Sequence, residues 1–365
     1  MIAQPARCAD HDLHAFQAIR RMDEILVNNF MVFDDVVEAG HYDLVVGDEA
    51  WDVDYFLHEN PELKRFSYAW MTDFVGWLPM PDGADEEAAL TADYNAEMIE
   101  QRARFRRLRD RSIFVGDAED VVTDRFGPGL PAIDEWTRDE FDFAGYITGF
   151  EPVADREALR AELGYRPDER VCVVTVGGSG VGLAFLHRIL DAVPAVRCQV
   201  ADLRFLVVTG PRIDPATLPK RRGVTLRRYV PELYRHLAAC DVAVVQGGLT
   251  TCMELTANRR PFIYVPLRNH FEQNIHVRHR LDLIQQVRAE KDAHPAALQV
   301  VDHVANELFA HDRVEPQGRV VENDQLRPMR QSQQQREPHR LPLGQMLDPR
   351  SPRQLELLEI AIGQV

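Results

Sequence analysis

Apolar residues recur along the chain at two kinds of spacing, and the change from one spacing to the other predicts its helices and strands. Residues 12–39 carry apolar side chains at three- and four-residue intervals and stop at Gly40, which predicts one long helix. A strongly charged helix is predicted over residues 86–110. Short apolar runs that predict strands occur at Leu44–Val46, within RFSYAWMTDFVGW, at Ser112–Gly116 and at Phe143–Phe150.

The second half of the chain repeats this alternation with longer apolar runs. The runs VCVVTVGG, LRFLVVTGP, VTLRRYV, DVAVVQGG and PFIYVPL predict strands, and helical patterns separate most of them. Continuous apolar strands that alternate with helices are typical of a parallel sheet covered on both faces. We therefore expect an α/β fold with two doubly wound, Rossmann-like domains that face a cleft.

Changes in pattern suggest three parts of the chain. We expect a first domain at residues 1–150, a second at 151–290, and a divergent, partly disordered tail rich in Gln, Arg and Pro at 291–365. The chain opens on a helix, whereas a doubly wound domain usually opens on a strand and a glycine-rich turn. We therefore expect the first domain to lack its first strand and glycine-rich loop, as in a chain truncated at its N-terminus.

Composition and charge limit the classes of binding partner and the cellular location that we expect for this protein. The formal net charge of −16 disfavours non-specific attraction to nucleic acid. No apolar run reaches the length of about 18 residues that predicts a membrane span, and the first residues lack the order of a signal peptide. The five cysteines form no CxxC pair, and an odd number argues against a disulfide framework. We expect a cytoplasmic protein, at the inner membrane surface if its substrate is a lipid.

A cluster of glycines follows the first strand of the second domain. Gly177, Gly178, Gly180 and Gly182 lie between that strand and the next helix, in VTVGGSGVG. Glycines let backbone N–H groups approach an anion, and a helix start adds partial positive charge. The third position of a dinucleotide fingerprint is occupied by Leu183, and no P-loop lysine follows. A tight turn without a ligand is the alternative interpretation.

A second polar turn, QGGLTTCME, follows a later strand of the same domain. Residues 246–248 end the strand, Thr250 and Thr251 begin a helix, and Glu254 lies about one turn further on. Two turns at the carboxyl ends of strands in one sheet form one crevice. The threonines suit phosphate oxygens, and the carboxylate suits two adjacent hydroxyls, as on a ribose. The alternatives are an ordinary N-cap for Thr250 and a solvated helix face for Glu254.

Together these motifs carry a resemblance. The order of the glycine loop, YVPEL, QGG-LTTCME, RRPFIYVPL and HFEQN resembles the C-terminal half of GT-B fold glycosyltransferases. It is similar to the bacterial lipid I N-acetylglucosaminyltransferases and to the UDP-glucuronosyltransferase and plant UDP-glycosyltransferase superfamily. The resemblance covers about residues 170–282, and more faintly 12–150. The six-residue spacing from Gly248 to Glu254 is shared with both groups.

The resemblance implies a set of contacts to a nucleotide-sugar donor. The residues implied to contact the diphosphate are Gly178, Ser179, Gln246, Gly248, Leu249, Thr250 and Thr251. Tyr229 and Val230 are implied to contact the base, and Glu254 the ribose. Gln273 and Asn274 are implied to contact the sugar hydroxyls. Gln246 stands where the superfamily usually has His or Ser. Its amide can donate a hydrogen bond to phosphate but carries no charge, so donor affinity or preference is expected to differ.

The first domain is expected to hold the acceptor and the catalytic base. Asp48 ends a strand, at the position where the resemblance implies the acidic partner of a catalytic histidine. The glycine-rich loop that would carry this histidine is absent, and neither His11 nor His14 fits its role. An acceptor groove is predicted to be lined by Trp70, Asp73 and Trp77, because aromatic rings stack on sugar or lipid faces. Packing of these aromatic residues in the core is the alternative.

The resemblance implies an inverting, metal-independent hexosyltransferase without a cofactor. Its donor is expected to be a UDP- or dTDP-sugar, and its acceptor a hydroxyl of a small molecule, glycan or lipid. The DVD triplet at residues 52–54 and the spaced histidines at 270, 276 and 279 are weak metal signals, and a polar helix face explains the histidines better. Two alternatives stay open, namely an enzyme like a UDP-sugar 2-epimerase and a non-catalytic nucleotide-sugar-binding protein.

Overall fold

The computed structural model describes residues 15–178, 180–286 and 319–321, which form two α/β units with one sheet each. The helices are α1 (Ala15–Gly40), α2 (Trp51–Glu59), α3 (Ala84–Arg104), α4 (Ile133–Glu140), α5 (Arg156–Glu162), α6 (Leu183–Gln199), α7 (Leu233–Ala239), α8 (Leu249–Ala257) and α9 (Arg278–Gln286). The strands are β1 (Leu44–Asp48), β2 (Ser67–Thr72), β3 (Arg111–Phe114), β4 (Asp142–Phe143), β5 (Arg170–Thr175), β6 (Leu203–Val208), β7 (Val224–Arg227), β8 (Val242–Val245), β9 (Phe262–Tyr264) and β10 (Arg319–Val321).

The first sheet contains four parallel strands in the order β1-β2-β3-β4. Among the described strands of this sheet, each one pairs with the next in the sequence, so the winding does not reverse. Helix α1 packs against α2 and α3. The strand predicted at Phe143–Phe150 is wrong beyond its first residue. The chain leaves the sheet because Gly145 has a φ of +70°, and only an isolated bridge then joins Gly145 to Gly116.

The second sheet has the order β10-β9-β8-β5-β6-β7 and confirms the predicted parallel α/β architecture. From β5 the chain builds outwards through β6 to β7, then returns to pair β8 with β5 and continues to β9. The direction of winding therefore reverses between β5 and β8. In open α/β sheets, ligands bind in the crevice outside the carboxyl ends of the strands at such a reversal.

Both faces of the second sheet are covered, which explains the continuous apolar runs in the sequence. Cys172 and Val174 of β5 join the cluster that includes α6, whereas Val171 and Val173 join the cluster that includes α7 and α8. Burial on both faces removes the polar alternation that a half-exposed strand would show. The short strand β10 pairs antiparallel with β9. Part of the segment predicted to be a divergent tail therefore extends this sheet, and the rest of residues 291–365 lies outside the described residues.

One segment of the second unit docks on the first. Residues Glu272–Val277 form a π-helical turn that leads into α9. Arg280 is 1% exposed, and its guanidinium donates to the carbonyl oxygen of Val115 at 2.9 Å and to that of Asp73. Since these carbonyls lie just beyond β3 and β2, the segment covers the carboxyl edge of the first sheet. Among the described residues, no helix is both long and apolar enough to cross a bilayer.

Candidate functional site

The two predicted glycine turns meet at the point where the winding of the second sheet reverses. They surround a pocket of about 190 Å³, whose lining residues are Thr175, Val176, Gly177, Gly178, Val181, Val245, Gln246, Gly248, Thr251, Leu267 and Gln273. A β-carbon added at Gly178 or at Gly248 would meet nothing within 4 Å. The backbone at both positions is therefore open to a ligand.

Close packing of backbone holds the first turn in place. Gly177 and Gly210 have φ values of +70° and +77°, and a β-carbon at Gly210 would come within 2.2 Å of the carbonyl oxygen of Gly177. The loop that follows β6 therefore lies directly against the glycine turn. Only glycine fits this approach, because any side chain at residue 210 would strain the backbone and displace its neighbour.

Two helices start at the pocket. Helix α6 begins after Gly182 and α8 begins after Gly248, and among the described residues no side chain caps either start. The first backbone N–H groups of a helix lack partners within the helix, and together they form an anion-binding site. Gly248 occupies the N-cap, so the alternative interpretation of Thr250 as an N-cap is wrong. The Leu249 side chain packs in the core, which leaves its backbone N–H at the helix start.

Gln246 places an amide at the floor of this pocket. Its side chain is 8% exposed, and within the described part of the chain its Oε1 atom is buried without a hydrogen-bond partner. The same atom lies 2.7 Å from where a β-carbon at Gly182 would be. Buried polar atoms are almost always paired. A ligand that donates a hydrogen bond would therefore pair with this oxygen, whereas a phosphate oxygen would need the Nε2 group of the same amide.

The predicted amide pair has two different environments. Gln273 lines the pocket, and its Oε1 accepts a hydrogen bond from the backbone N–H of Leu267 at 2.9 Å. The Nδ2 of Asn274 donates to the carbonyl oxygens of Leu267 and His270, at 2.6 and 2.8 Å. Asn274 thus fastens the loop that follows β9. The predicted sugar contacts of both residues stay predictions, with Gln273 in the better position.

The remaining predicted donor residues are not part of the pocket lining. Glu254 is half-buried on α8, and burial raises its pKa. Tyr229 is 74% exposed in the turn after β7, whereas Val230 packs against the core. Ser179 lies outside the described residues. The predicted roles of these residues stay predictions.

Carboxyl groups crowd the carboxyl edge of the first sheet, where the second unit docks. We name Asp48, Glu49, Asp73 and Glu272 the acid junction. Glu49 has a φ of +49°, and its Oε1 lies 3.4 Å from both the hydroxyl of Thr72 and the backbone nitrogen of Asp73. Burial first, and then the charge of Asp73, raise the pKa values of Asp48, Glu49 and Glu272.

Glu49 and Glu272 are not among the predicted site residues, although each is next to one in the sequence. Glu49 follows the end of β1 and Glu272 lies in the segment after β9, but nothing local in the sequence indicates that the two meet. The left-handed backbone at Glu49 and the docking of the π-helical turn bring the carboxyls together. Both depend on tertiary structure.

The predicted acceptor groove needs a correction, because its aromatic rings belong to the core. Trp70 is 1% exposed and Trp77 is 5% exposed. The ring of Trp70 lies 4.7 Å from that of Trp51, and the ring of Trp77 lies 4.8 Å from that of Phe271. Neither ring offers a face to a substrate in this structure. Asp73 alone of the predicted trio lies at the acid junction.

One residue of each weak metal signal, Asp54 and His276, is buried and paired within the protein. Asp54 forms a buried ion pair with Arg109, whose Nε lies 2.7 Å from its Oδ1. His276 is buried, and its Nε2 lies 3.1 Å from the carbonyl oxygen of Gly76. Burial lowers the pKa of His276 to about 3. The interpretation of these histidines as a polar helix face is therefore wrong for His276, which belongs to the contact between the two units.

The second unit is similar to a known domain family. Residues 171–316 match the family model described as Glycosyltransferase family 28 C-terminal domain. This match confirms the resemblance found in the sequence and extends beyond the predicted domain end at residue 290.

Three individual proteins illustrate the similarity. An uncharacterized glycosyltransferase of Methanopyrus kandleri is 29% identical over 33% of this chain and 33% of its own length. The UDP-N-acetylglucosamine–N-acetylmuramyl-(pentapeptide) pyrophosphoryl-undecaprenol N-acetylglucosamine transferase of Moorella thermoacetica is 32% identical over 33% of this chain and 36% of its own length. The chain thus spans about a third of the length of each of these two relatives. The glycosyltransferase SnogD from Streptomyces nogalater aligns with a TM-score of 0.45 and 18% identity, over 84% of this chain and 78% of that chain.

Proposed function

We propose that this protein is a glycosyltransferase that moves a hexose-type sugar from a UDP- or dTDP-sugar to an acceptor hydroxyl. The pocket between β5 and β8 carries this proposal. It combines open glycine backbone, two uncapped helix starts and the buried amide of Gln246, whose Oε1 has no hydrogen-bond partner among the described residues. It also lies in the segment that matches a glycosyltransferase domain.

Each part of a nucleotide sugar finds matching chemistry around the pocket. The diphosphate suits the backbone N–H groups at the starts of α6 and α8, near Thr250 and Thr251. The half-buried Glu254 suits the ribose hydroxyls, and the exposed ring of Tyr229 suits a base. Gln273, on the other side of the pocket, suits the sugar.

The reaction is proposed to invert the anomeric centre without a metal ion or another cofactor. The acceptor oxygen attacks the anomeric carbon from the face opposite the diphosphate, a carbon–oxygen bond forms, and the bond to the diphosphate breaks. The negative charge on the departing diphosphate is stabilised by the N–H groups of the helix starts.

The acceptor proton needs a base at the carboxyl edge of the first sheet. We assign this role to Asp48, which ends β1 at the acid junction. Burial, together with the charge of Asp73, raises its pKa and makes its carboxylate a stronger base than an ordinary aspartate.

The acceptor is proposed to be a small molecule, a glycan or a lipid, and the site of action the cytoplasm. The M. thermoacetica relative is named for a pyrophosphoryl-undecaprenol substrate. A lipid-linked acceptor of that class would bring this protein to the inner membrane surface.

Isothermal titration with UDP, dTDP, GDP and NAD tests the donor site. We expect UDP or dTDP to bind, and Glu254→Ala to weaken that binding by about 1–3 kcal/mol, because a buried hydrogen bond to ribose is lost. Glu135→Ala removes an exposed glutamate of α4 in the other unit and is expected to leave binding unchanged.

Absence of UDP and dTDP binding to the folded protein would contradict the proposal. If UDP-sugar is consumed, product analysis separates the reactions. Transfer releases UDP and a glycosylated acceptor, whereas a 2-epimerase yields a new UDP-sugar without free UDP.

A further inference from the structure

A local reversal of charge in this acidic protein lies at one edge of the second sheet. Residues 211–230 contain six basic residues and one acidic residue, in a chain whose formal net charge is −16. This segment forms the loop after β6, the edge strand β7 and the turn that follows it.

Strand β7 divides these cations into two groups. We name Arg212, Arg227 and Arg228 the basic rim. Arg227 pairs with Val208 at the carboxyl end of β6, and Arg228 forms an exposed ion pair with Asp214 at 3.4 Å. The basic rim therefore lies at the carboxyl edge of the sheet, with all three of its side chains exposed.

The other group lies at the opposite end of β7. It consists of Lys220, Arg221 and Arg222, and we name it the lower group. Arg221 donates to the carbonyl oxygen of Leu190 on α6 at 3.1 Å. The two groups have the same number of charges but lie on different edges of the sheet, which makes the lower group a matched control.

The basic rim lies beside the glycine pocket. The loop after β6 touches the glycine turn at Gly210 and Gly177, and Arg212 follows two residues later. Strand β7 is two strands from β5, or about 10 Å at ordinary strand spacing. Charges at that distance act on a ligand in the pocket at low ionic strength, since the screening length is about 10 Å at 0.1 M salt and longer below it.

On the side of the pocket away from β7, the chain places an amide and a carboxyl group. In the order β9-β8-β5-β6-β7, the pocket lies at β8 and β5, the basic rim lies towards β7, and the loop after β9 leads to Gln273 and Glu272. An anionic end of a ligand is therefore attracted towards β7. A neutral end rich in hydroxyls fits the side of Gln273.

We propose that the basic rim attracts the nucleoside-diphosphate end of the ligand into the glycine pocket through long-range charge, and thereby sets the direction in which the ligand lies. This inference rests on the proposed function, and it assigns a role in ligand selection to side chains outside the pocket lining. Charged side chains also protect an edge strand from pairing with other sheets, but that role applies equally to both ends of β7. Attraction of a ligand in the pocket is a role that the position of the basic rim allows and that of the lower group does not.

Titration calorimetry with UDP at 20 mM and 500 mM NaCl tests this role. The variants are Arg227→Gln with Arg228→Gln at the basic rim, and Lys220→Gln with Arg222→Gln in the lower group. We expect the rim variant to raise the Kd for UDP by about three- to tenfold at 20 mM and by less than about twofold at 500 mM, because salt screens the attraction. The lower-group variant is expected to change the Kd by less than about 1.5-fold at both salt concentrations, because its charges lie further from the pocket.

A third variant separates charge from contact. Arg227→Lys with Arg228→Lys keeps both charges and is expected to bind UDP like the wild type at both salt concentrations. Equal losses in the rim and lower-group variants, or a loss at the basic rim that persists at 500 mM NaCl, would overturn the inference. Failure of the wild type to bind UDP or dTDP at either salt concentration would instead overturn the proposed function, and the basic rim's role with it.

Discussion

The carboxyl edges of the two sheets are built by opposite means. At the second sheet, the edge is mostly backbone, with glycines that leave open space at residues 178 and 248. At the first sheet, the edge consists of crowded side chains, where carboxyls of the acid junction lie beside the buried guanidinium of Arg280. An edge made of backbone can receive an anion without titrating, whereas an edge made of carboxyls changes its charge with pH.

The two edges also depend differently on the rest of the molecule. The glycine pocket is assembled within one sheet by the reversal of winding. Three carboxyls of the acid junction belong to the first unit, and docking of the π-helical turn and α9 of the second unit adds Glu272 and Arg280. We therefore expect substitutions at the acid junction to destabilise the first unit more than they perturb the glycine pocket.

The largest effect is expected from Arg280→Met. The substitution leaves the carbonyl oxygens of Asp73 and Val115 without their donor and removes the cation over the ring of Phe114. The free energy of unfolding is expected to fall by about 2–4 kcal/mol, since buried polar groups lose their partners. Urea denaturation followed by tryptophan fluorescence measures this loss, because all four tryptophans (Trp51, Trp70, Trp77 and Trp136) lie in the first unit.

Arg65→Met provides the control in the same unit, since that side chain is 45% exposed and pairs with exposed Glu38. Its effect is expected to stay within about 0.5 kcal/mol. An equally small effect of Arg280→Met on the tryptophan signal would show that the first unit does not depend on docking. The comparison between the two edges would then fail.

The second prediction concerns the backbone-built edge. Gly248→Ala adds a β-carbon into open space at the start of α8, where φ is −68° and alanine is readily accommodated. We expect unfolding to change by less than about 0.5 kcal/mol and UDP binding to weaken by about tenfold or more, because the methyl group occupies the approach to the backbone N–H groups. Urea denaturation and titration calorimetry measure the two effects.

Gly149→Ala is the matched control, because a β-carbon there also meets nothing within 4 Å but lies away from the pocket. It is expected to leave both quantities unchanged. If Gly248→Ala bound UDP as tightly as Gly149→Ala does, the open space at Gly248 would not be where the diphosphate lies.

The same contrast explains what the sequence could predict. The residues of a glycine turn at a strand end are consecutive in the sequence, so VTVGGSGVG and QGGLTT predict the pocket without the fold. Apolar runs indicated the second sheet for the same reason. At the acid junction, Glu272 and Asp73 are about 200 residues apart in the sequence, and no local pattern predicts that they meet. Local pattern also failed for Trp70 and Trp77, because an aromatic residue in a groove and one in the core have the same sequence signature.

The smallest predicted effect is a change in the pH dependence of stability. Burial and Asp73 raise the pKa of Glu272, so folding favours the protonated form and stability is lost as pH rises through the raised value. His276 acts in the opposite sense, since its lowered pKa of about 3 means that stability is lost as pH falls below its ordinary value. Glu272→Gln removes only the alkaline loss. Between buffer pH 6 and pH 9, we expect the free energy of unfolding of the wild type to fall by on the order of 1 kcal/mol relative to that of the variant.

The measurement is urea denaturation of the wild type, Glu272→Gln and the exposed control Glu135→Gln at several pH values. Only the change with pH matters, so any constant loss from the new amide cancels. Parallel curves for the wild type and Glu272→Gln would mean that Glu272 titrates as it does in the unfolded chain. A widening gap towards high pH, absent from Glu135→Gln, would place a titrating carboxyl at the contact between the two units. The first sheet's edge would then respond to pH through its side chains, whereas the lining residues described for the glycine pocket include no titratable side chain.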